Sequence, residues 1–441
     1  MDIGIIGGGI SGMILASKLN KHKVTILESN NRLGKKLLLT GNGKCNYTNM
    51  NFDNLDYIYN CKLAKELYNK YDNASFISYL YKLGIVPKIE VHKNIKYVYP
   101  NSNKATSVYY ALYDKIISNN VKIKCDELVD KVYKENGKFI VNAKNDYIFD
   151  KLVFATGGIT YIKNECASTA LSCIKSLGHT IVELSPGLTP INYSIKDVNL
   201  NKFDFNGFRI DAEVNYIDSE KVYSEYGEIQ FTKVNLSGIP ILNMSNIISK
   251  PLNIYNENIE LHLDFSNAIL NVIHYNKDVN NKETLYKIKS IYEYKEDQKN
   301  RLSVVYDILI NRKKELYYKN AQDFLCGFLP DELNQIIFSI LKVKAKKVND
   351  LSSNDILEIA KNLIDFKVYA TKSLKLDNAQ ITIGGVNTNE VNKDTLESKI
   401  VDGLYIIGEA LDINGICGGY NIQIAYSSAL TVANSLLNLE E

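Results

Sequence analysis

The chain has 441 residues, enough at roughly 150 residues per domain for two or three structural units. Its apolar share of 45% and charged share of 23% are those of a folded globular protein, which argues against a disordered chain and against a membrane protein. The formal net charge is +2 and no sustained basic block stands out, so a nucleic-acid partner is not expected.

The first residues read as strand, turn and helix: Ile3–Ile6 is a short buried-type run, Ile10–Leu19 has helical apolar spacing, and Val24–Leu27 returns to strand character. Within this βαβ unit, Gly7-Gly8-Gly9-Ile10-Ser11-Gly12 is a G-x-G-x-x-G in the strand-to-helix context where that pattern has physical meaning. Gly7 permits the tight turn, Gly9 the approach of a pyrophosphate, and Gly12 close packing of helix on strand. The helix N-terminus then faces the phosphates. Glu28, at the end of the second strand, can accept hydrogen bonds from ribose hydroxyls.

The next stretch, Asn31 to Asn49, mixes glycines, cations and small polar residues, a lining suited to the second half of a long extended cofactor. It is not a P-loop: Leu38 stands where the first glycine is needed, and Cys45 replaces the Ser or Thr that would hold magnesium. Cys45 reads as a packing or cofactor-lining residue in preference to a nucleophile. The seven cysteines, at 45, 61, 125, 166, 173, 326 and 417, form no C-x-x-C pair, which fits free thiols in a reducing cytoplasm. The N-terminus carries Asp2 and lacks a signal peptide's basic region, and no run approaches the ~18 apolar residues of a membrane helix, so a cytoplasmic location is expected.

Further on, Phe139–Val141 after the Asn136-Gly137 turn and Lys151–Ala155 read as strands. From about Pro190, alternation over Arg209–Val214 and Ile259–Leu263 suits half-exposed antiparallel strands, and Asn276–Asn320 reads as helical, with Leu329-Pro330 punctuating the next helix. Dinucleotide-type signals occupy the first 160 residues and return after about residue 380, so the middle is an insertion and the expected substrate domain. The boundaries expected are 1–188 with 366–441 for the cofactor domain, 189–265 for an inserted β part and 266–365 for an inserted helical part. Histidines 22, 92, 179, 262 and 274 show no metal-ligand spacing, and no metal is expected.

The run Gly34–Asn49, Tyr99–Ala105, Ala155-Thr156-Gly157-Gly158 and Gly403–Asp412, continued through Gly415 and Gly418–Gln423, resembles the aminoacetone-oxidase-family FAD-binding enzymes, or BaiN-type flavoproteins. The resemblance implies an α/β fold: a two-dinucleotide-binding, Rossmann-like FAD domain with an inserted β plus helical domain. It places Gly7, Gly9, Gly12 and Glu28 on the ADP half of FAD, with Val129 at the adenine through its backbone. Lys36, Gly41, Gly43, Lys44, Cys45 and Asn46 fall along the flavin half. Ala155-Thr156-Gly157-Gly158 mark the return strand under the cofactor, Gly408 and Glu409 the ribityl chain, and Gly419, Tyr420, Asn421, Ile422 and Gln423 a helix start aimed at the flavin ring. The sequence departs from the family at Asn164–Ala170, where relatives carry a Gly-rich turn.

The resemblance implies a flavin oxidoreductase; one branch reduces carbon–carbon double bonds of oxo-bile acids. The leading expectation is hydride transfer through flavin N5 to an unsaturated or oxo small organic substrate, with NAD(P)H as a possible donor; no second G-x-G-x-x-G marks a dedicated nicotinamide domain, so the donor either binds transiently or is not a nicotinamide. Competing readings are an oxidase of an amine or alcohol, an RNA-modifying flavoprotein, and an FAD binder without turnover. No residue is singled out as acid or base; Tyr420, Asn421 and Asn46 are candidates for lying beside the ring. Oligomeric state is not legible.

Overall fold

The computed structural model describes residues 1–92, 95–160, 164–203, 207–253, 258–273, 286–373, 376 and 379–438. His274 and positions 276–285 of the expected helical stretch lie outside these residues, as do positions 161–163 just before the glycine-less segment. Two compact units form, one from Met1–Pro186 with Lys375–Glu441 and one from Gly187–Leu374.

The first unit is built on a five-stranded parallel sheet, in the order Leu404–Ile406, Lys151–Phe154, Asp2–Ile6, Lys23–Leu27, Lys122–Lys124. Ile5 lies between Val153 and Ile26 in register, and the strand's buried pattern is what continuous apolar runs predict for a sheet covered on both faces. One cover is the helix Ile10–Lys18, which packs on the helices Ala105–Ser118 and Tyr420–Asn438. A meander of Lys131–Glu135, Lys138–Asn142 and Asp146–Phe149 turns at Asn136 and Gly137, both at positive φ (50° and 79°), as a type I′ hairpin requires. A second small antiparallel sheet joins Thr48–Asn49, Ile95–Pro100 and Pro87–His92. The core includes Tyr47 and Tyr405 with Met13, Phe76, Phe139 and Phe154, all fully buried, the last four each worth roughly 1.5–3 kcal/mol by transfer.

The second unit holds a closed antiparallel barrel. Its order is Phe208–Asp218, Ile259–Asp264, Phe366–Ser373, Ile191–Ser194, Asn235–Ser237 and Lys221–Phe231, and the last strand pairs back onto the first from Phe208↔Phe231 to Asp218↔Lys221. Closure removes the exposed edges that an open sheet would leave. Helices Ile239–Asn253, Ile291–Glu315, Asp331–Leu341 and Ser353–Ile364 belong to the same unit. The α/β class and the insertion into a Rossmann-like fold are as expected, with two corrections. Phe366–Ser373 is a barrel strand, pairing Leu261↔Val368, so the return to the first unit comes after it and not at residue 366. Tyr286–Ser290 is a strand, not helix, and the helix begins at Ile291, where Ser290 and Glu293 form a capping box.

Inside the second unit, Arg301 bridges buried Asp264 (2.9 Å) and Glu213 (3.3 Å). No helix among the described residues is long and apolar enough to cross a membrane.

Candidate functional site

The loop after Asp2–Ile6 is shaped by contacts that only glycine allows. Gly7 sits at φ 101°, where a Cβ would lie 2.5 Å from the Ala155 carbonyl oxygen, and a Cβ on Gly12 would run into the Gly7 carbonyl. Gly9 is different. Its φ of −71° and ψ of −175° suit any residue, and the nearest atom to a Cβ there is the Ala155 carbonyl oxygen at 4.0 Å. Gly9 is the N-cap of Ile10–Lys18, and no side chain caps that helix. The first turn, with Ile10 and Ser11, therefore presents a helix N-terminus beside open space, the arrangement that receives a phosphate.

Glu28 is buried and locks this loop to the second strand. Its Oε2 accepts the Gly8 N–H at 2.7 Å, while Oε1 accepts the Asn30 N–H at 2.8 Å and the Asn30 side-chain amide at 2.6 Å. Val129, also buried, lies just before the Lys131–Glu135 strand.

The two ends of the chain meet at Lys36 and Glu409. Lys36 Nζ lies 2.7 Å from Glu409 Oε2 and 2.9 Å from Thr160 Oγ1. Glu409 Oε1 accepts the Thr382 N–H at 2.7 Å, and Thr382 Oγ1 accepts the Ile159 N–H at 2.9 Å. Next to Glu409, Gly408 donates its N–H to Ser428 Oγ at 3.0 Å, and a Cβ on Gly408 would come 3.0 Å from Ser11 Oγ. Ala155 donates its N–H to the Ile6 carbonyl at 2.8 Å, Gly157 turns at φ 68°, and Gly158 packs against Thr382 and Glu409.

Two polar atoms at the expected positions are buried with no hydrogen-bond partner among the described residues: Asn46 Oδ1 and Thr156 Oγ1. An unpaired buried polar atom costs about 1–3 kcal/mol, so each of these two is suited to meet a polar ligand or water. Together with the open approach at Gly9, they fit a polar cofactor such as FAD.

Gly41 and Gly43 turn at φ 55° and 80° inside the Leu37–Gly43 segment, Lys44 is exposed, and Cys45 is fully buried. Burial pushes the Cys45 thiol up to about 12, so no thiolate nucleophile is available there. At the other end, Gly419 precedes the helix Tyr420–Asn438. Tyr420 donates its hydroxyl to the Asn51 carbonyl at 2.8 Å, and Asn421 ties both the N–H (2.8 Å) and the carbonyl (2.9 Å) of Gly415. Gln423 is fully buried: it accepts the Thr48 hydroxyl at 2.6 Å and donates to the Tyr71 carbonyl at 3.0 Å. Ile422 is partly buried. The polar side chains of Tyr420, Asn421 and Gln423 are thus engaged by the protein. What this helix start offers is its backbone end.

Sequence reasoning missed Asn30, Thr160, Thr382 and Ser428. None carries a motif, and each acquires its partner only when distant segments pair. A buried Ser398–His179–Glu390 row also forms, with His179 Nε2 2.8 Å from Ser398 Oγ and Nδ1 3.0 Å from Glu390. Ser398 Oγ additionally accepts the N–H groups of Ile400 and Val401, so this row fastens a turn and presents no nucleophile. No group of three or more metal-binding side chains occurs among the described residues.

The family model described as the HI0933-like protein Rossmann domain matches residues 1–435. A 3-dehydro-bile acid delta(4,6)-reductase from Clostridium scindens is 28% identical over 440 residues, covering 97% of this chain and 96% of its own length. A ribosomal RNA dihydrouridine synthase from Haemophilus influenzae is 25% identical, covering 98% and 97%. The Escherichia coli protein of the same name is 24% identical, covering 99% and 98%.

Proposed function

The chain belongs to the HI0933-like family of FAD-dependent oxidoreductases, and from that premise we propose that it reduces an unsaturated or oxo small organic substrate with NAD(P)H as electron donor. Bound FAD supplies hydride transfer at its N5, and the chain's own residues bind and orient it. In this reading the glycine loop and first helical turn, Gly7 to Gly12, take the pyrophosphate. Glu28 takes the ribose hydroxyls and the Val129 backbone the adenine edge. Gly408 and Glu409 would hold the ribityl chain, and Lys36, paired to Glu409 at 2.7 Å, would reach the flavin half beside it. Gly41, Gly43, Lys44, Cys45 and Asn46 would line the flavin half, and Ala155 to Gly158 would form the return strand under the cofactor. The helix start at Gly419 to Gln423 stabilises negative charge on the ring by about 0.3–1 kcal/mol, up to ~2 where partly buried.

The observation that carries the proposal is the joining of both chain ends by Lys36, Glu409, Thr382 and Ile159, while Gly9 stays open and Asn46 Oδ1 and Thr156 Oγ1 stay unpaired. The Clostridium scindens relative, named as a reductase of a delta(4,6) system, supports a carbon–carbon double bond as the target. The test is anaerobic incubation with NADH or NADPH and an α,β-unsaturated ketone, with mass spectrometry of the product. A gain of two hydrogens, dependent on FAD, is expected. Donor oxidation that proceeds only in air and yields peroxide without product would favour the oxidase reading instead.

A second reading is saturation of a pyrimidine base in RNA. It is supported by the names of the two synthases.

A further inference from the structure

Reducing a carbon–carbon double bond beside a carbonyl takes two deliveries, a hydride to the β carbon and a proton to the α carbon, and the groups described so far account only for the first. The missing acid has to belong to the cofactor-binding unit, carry a proton that no protein acceptor already holds, and stay protonated near neutral pH. The Tyr420 hydroxyl is given to the Asn51 carbonyl, and the Cys45 thiol is fully buried.

The small antiparallel sheet of Thr48–Asn49, Ile95–Pro100 and Pro87–His92 supplies a candidate. Side chains alternate between the faces of a strand, and directly paired residues share a face. Tyr97 pairs with both Asn49 and Glu90, and Tyr99 pairs with Lys88, so these five side chains stand on one face. From it, Asn49 donates its amide to the Gly418 carbonyl at 3.0 Å, just before the helix Tyr420–Asn438. A Cβ on Gly41 would lie 3.5 Å from a Tyr99 ring carbon and 2.9 Å from the Asn46 backbone nitrogen, which makes Tyr99, Gly41 and Asn46 neighbours. The tyrosine face therefore borders both segments, Gly41–Asn46 and Gly418–Gly419, that the reductase reading assigns to the flavin half.

The two tyrosines are not equivalent. Tyr97 is buried, whereas Tyr99 is half-buried and its hydroxyl makes no hydrogen bond among the described residues. Burial first, then the nearby Glu90 carboxylate and Cys417 thiol, raise the Tyr99 hydroxyl above its ordinary range, so it keeps its proton at neutral pH. Lys88 stands directly across from Tyr99, with its Nζ 2.6 Å from Glu90 Oε1, and offers a cation to a phenolate formed there. We propose that the Tyr99 hydroxyl is the acid that protonates the α carbon of the unsaturated substrate, an assignment that rests on the reductase reading. The β carbon takes a hydride with its electron pair from the reduced cofactor. The π pair of the double bond then forms the new bond between the α carbon and the Tyr99 proton, and water returns a proton to the phenolate.

The test compares the FAD-loaded full-length protein with its Tyr99→Phe variant, reduced without oxygen and then mixed with one of two acceptors. With an α,β-unsaturated ketone the variant's flavin should reoxidise about 10²–10⁴-fold more slowly, the usual worth of a positioned acid. With a nitroalkene, whose reduced form is stable as the nitronate before any proton arrives, the variant should reoxidise at the wild-type rate. In deuterium oxide the wild type should place deuterium on one face of the ketone's α carbon, and the residual product of the variant should carry it on both faces. Equal FAD uptake and equal thermal melts show that the variant is folded. Wild-type reoxidation by the ketone in Tyr99→Phe, equal slowing with both acceptors, or one-faced deuterium in the variant's product would each overturn the assignment while leaving the reductase reading intact. A wild type that reduces neither acceptor would overturn that reading and the assignment with it.

Discussion

Replacing Gly9 by alanine separates the cofactor role of the glycine loop from its folding role. The backbone at Gly9, φ −71° and ψ −175°, accepts alanine, and the new methyl would meet nothing nearer than the Ala155 carbonyl oxygen at 4.0 Å. Alanine stiffens the unfolded chain, a gain of about 0.4–1 kcal/mol, but is a poorer N-cap by roughly 0.5–1 kcal/mol. The two nearly cancel, so the cofactor-free protein should melt within about 2 °C of the wild type. The methyl would nevertheless sit where a pyrophosphate must approach the helix. Displacing it by even part of a methyl's width costs about 1–3 kcal/mol, or roughly 5- to 150-fold in FAD dissociation constant. Gly12→Ala gives the contrast, because its methyl would press on the Gly7 carbonyl and lower stability and FAD binding together. Titrating the deflavinated proteins by flavin fluorescence, beside thermal melts, checks both. Wild-type FAD affinity in Gly9→Ala, or a loss of stability equal to that of Gly12→Ala, would refute the reasoning.

Three other perturbations probe separate parts of the molecule. A double-mutant cycle of Lys36→Met and Glu409→Gln, read by urea unfolding, should give a coupling energy of about 0.5–3 kcal/mol; purely additive effects would mean the 2.7 Å pair does not join the chain ends in solution. Iodoacetamide on the native protein should leave Cys45 unmodified until denaturant is added, since burial holds its thiol at about 12; native labelling at Cys45, mapped by mass spectrometry, would contradict this. Burial raises Asp264 to about 6 against the opposing pull of Arg301, so the folded state keeps a proton that the unfolded chain releases near pH 4. Its stabilising contribution is therefore present below about pH 4 and lost as pH rises through about 6. Urea unfolding of the wild type against Asp264→Asn should show the difference moving in the variant's favour over that range, and a pH-independent difference would count against it.

The parallel sheet was legible because its strands are uninterrupted apolar runs, as in Ile3–Ile6, and because Gly7, Gly9 and Gly12 fall where strand becomes helix. The three-residue strand Leu404–Ile406 was visible only through resemblance, since so short an element has no period of its own; its neighbour in the sheet, Lys151–Phe154, lies far away in the chain. Thr382 was illegible for a related reason: its value comes from standing between Ile159 and Glu409, which no local pattern encodes. The insertion's return point was placed too early because Phe366–Ser373, a strand after a helix, looks the same whether it rejoins a Rossmann sheet or closes a barrel. Only the pairing with Ile259–Asp264 decides.

The most direct test of the central claim is the absorbance spectrum of the purified protein with FAD, followed without oxygen as NADH or NADPH and then an α,β-unsaturated ketone are added. The account predicts flavin bands that bleach with one of the nucleotides and return with the ketone. A protein that neither carries nor takes up FAD would contradict the account, and bands that bleach but never return with any unsaturated acceptor would contradict the reductase assignment.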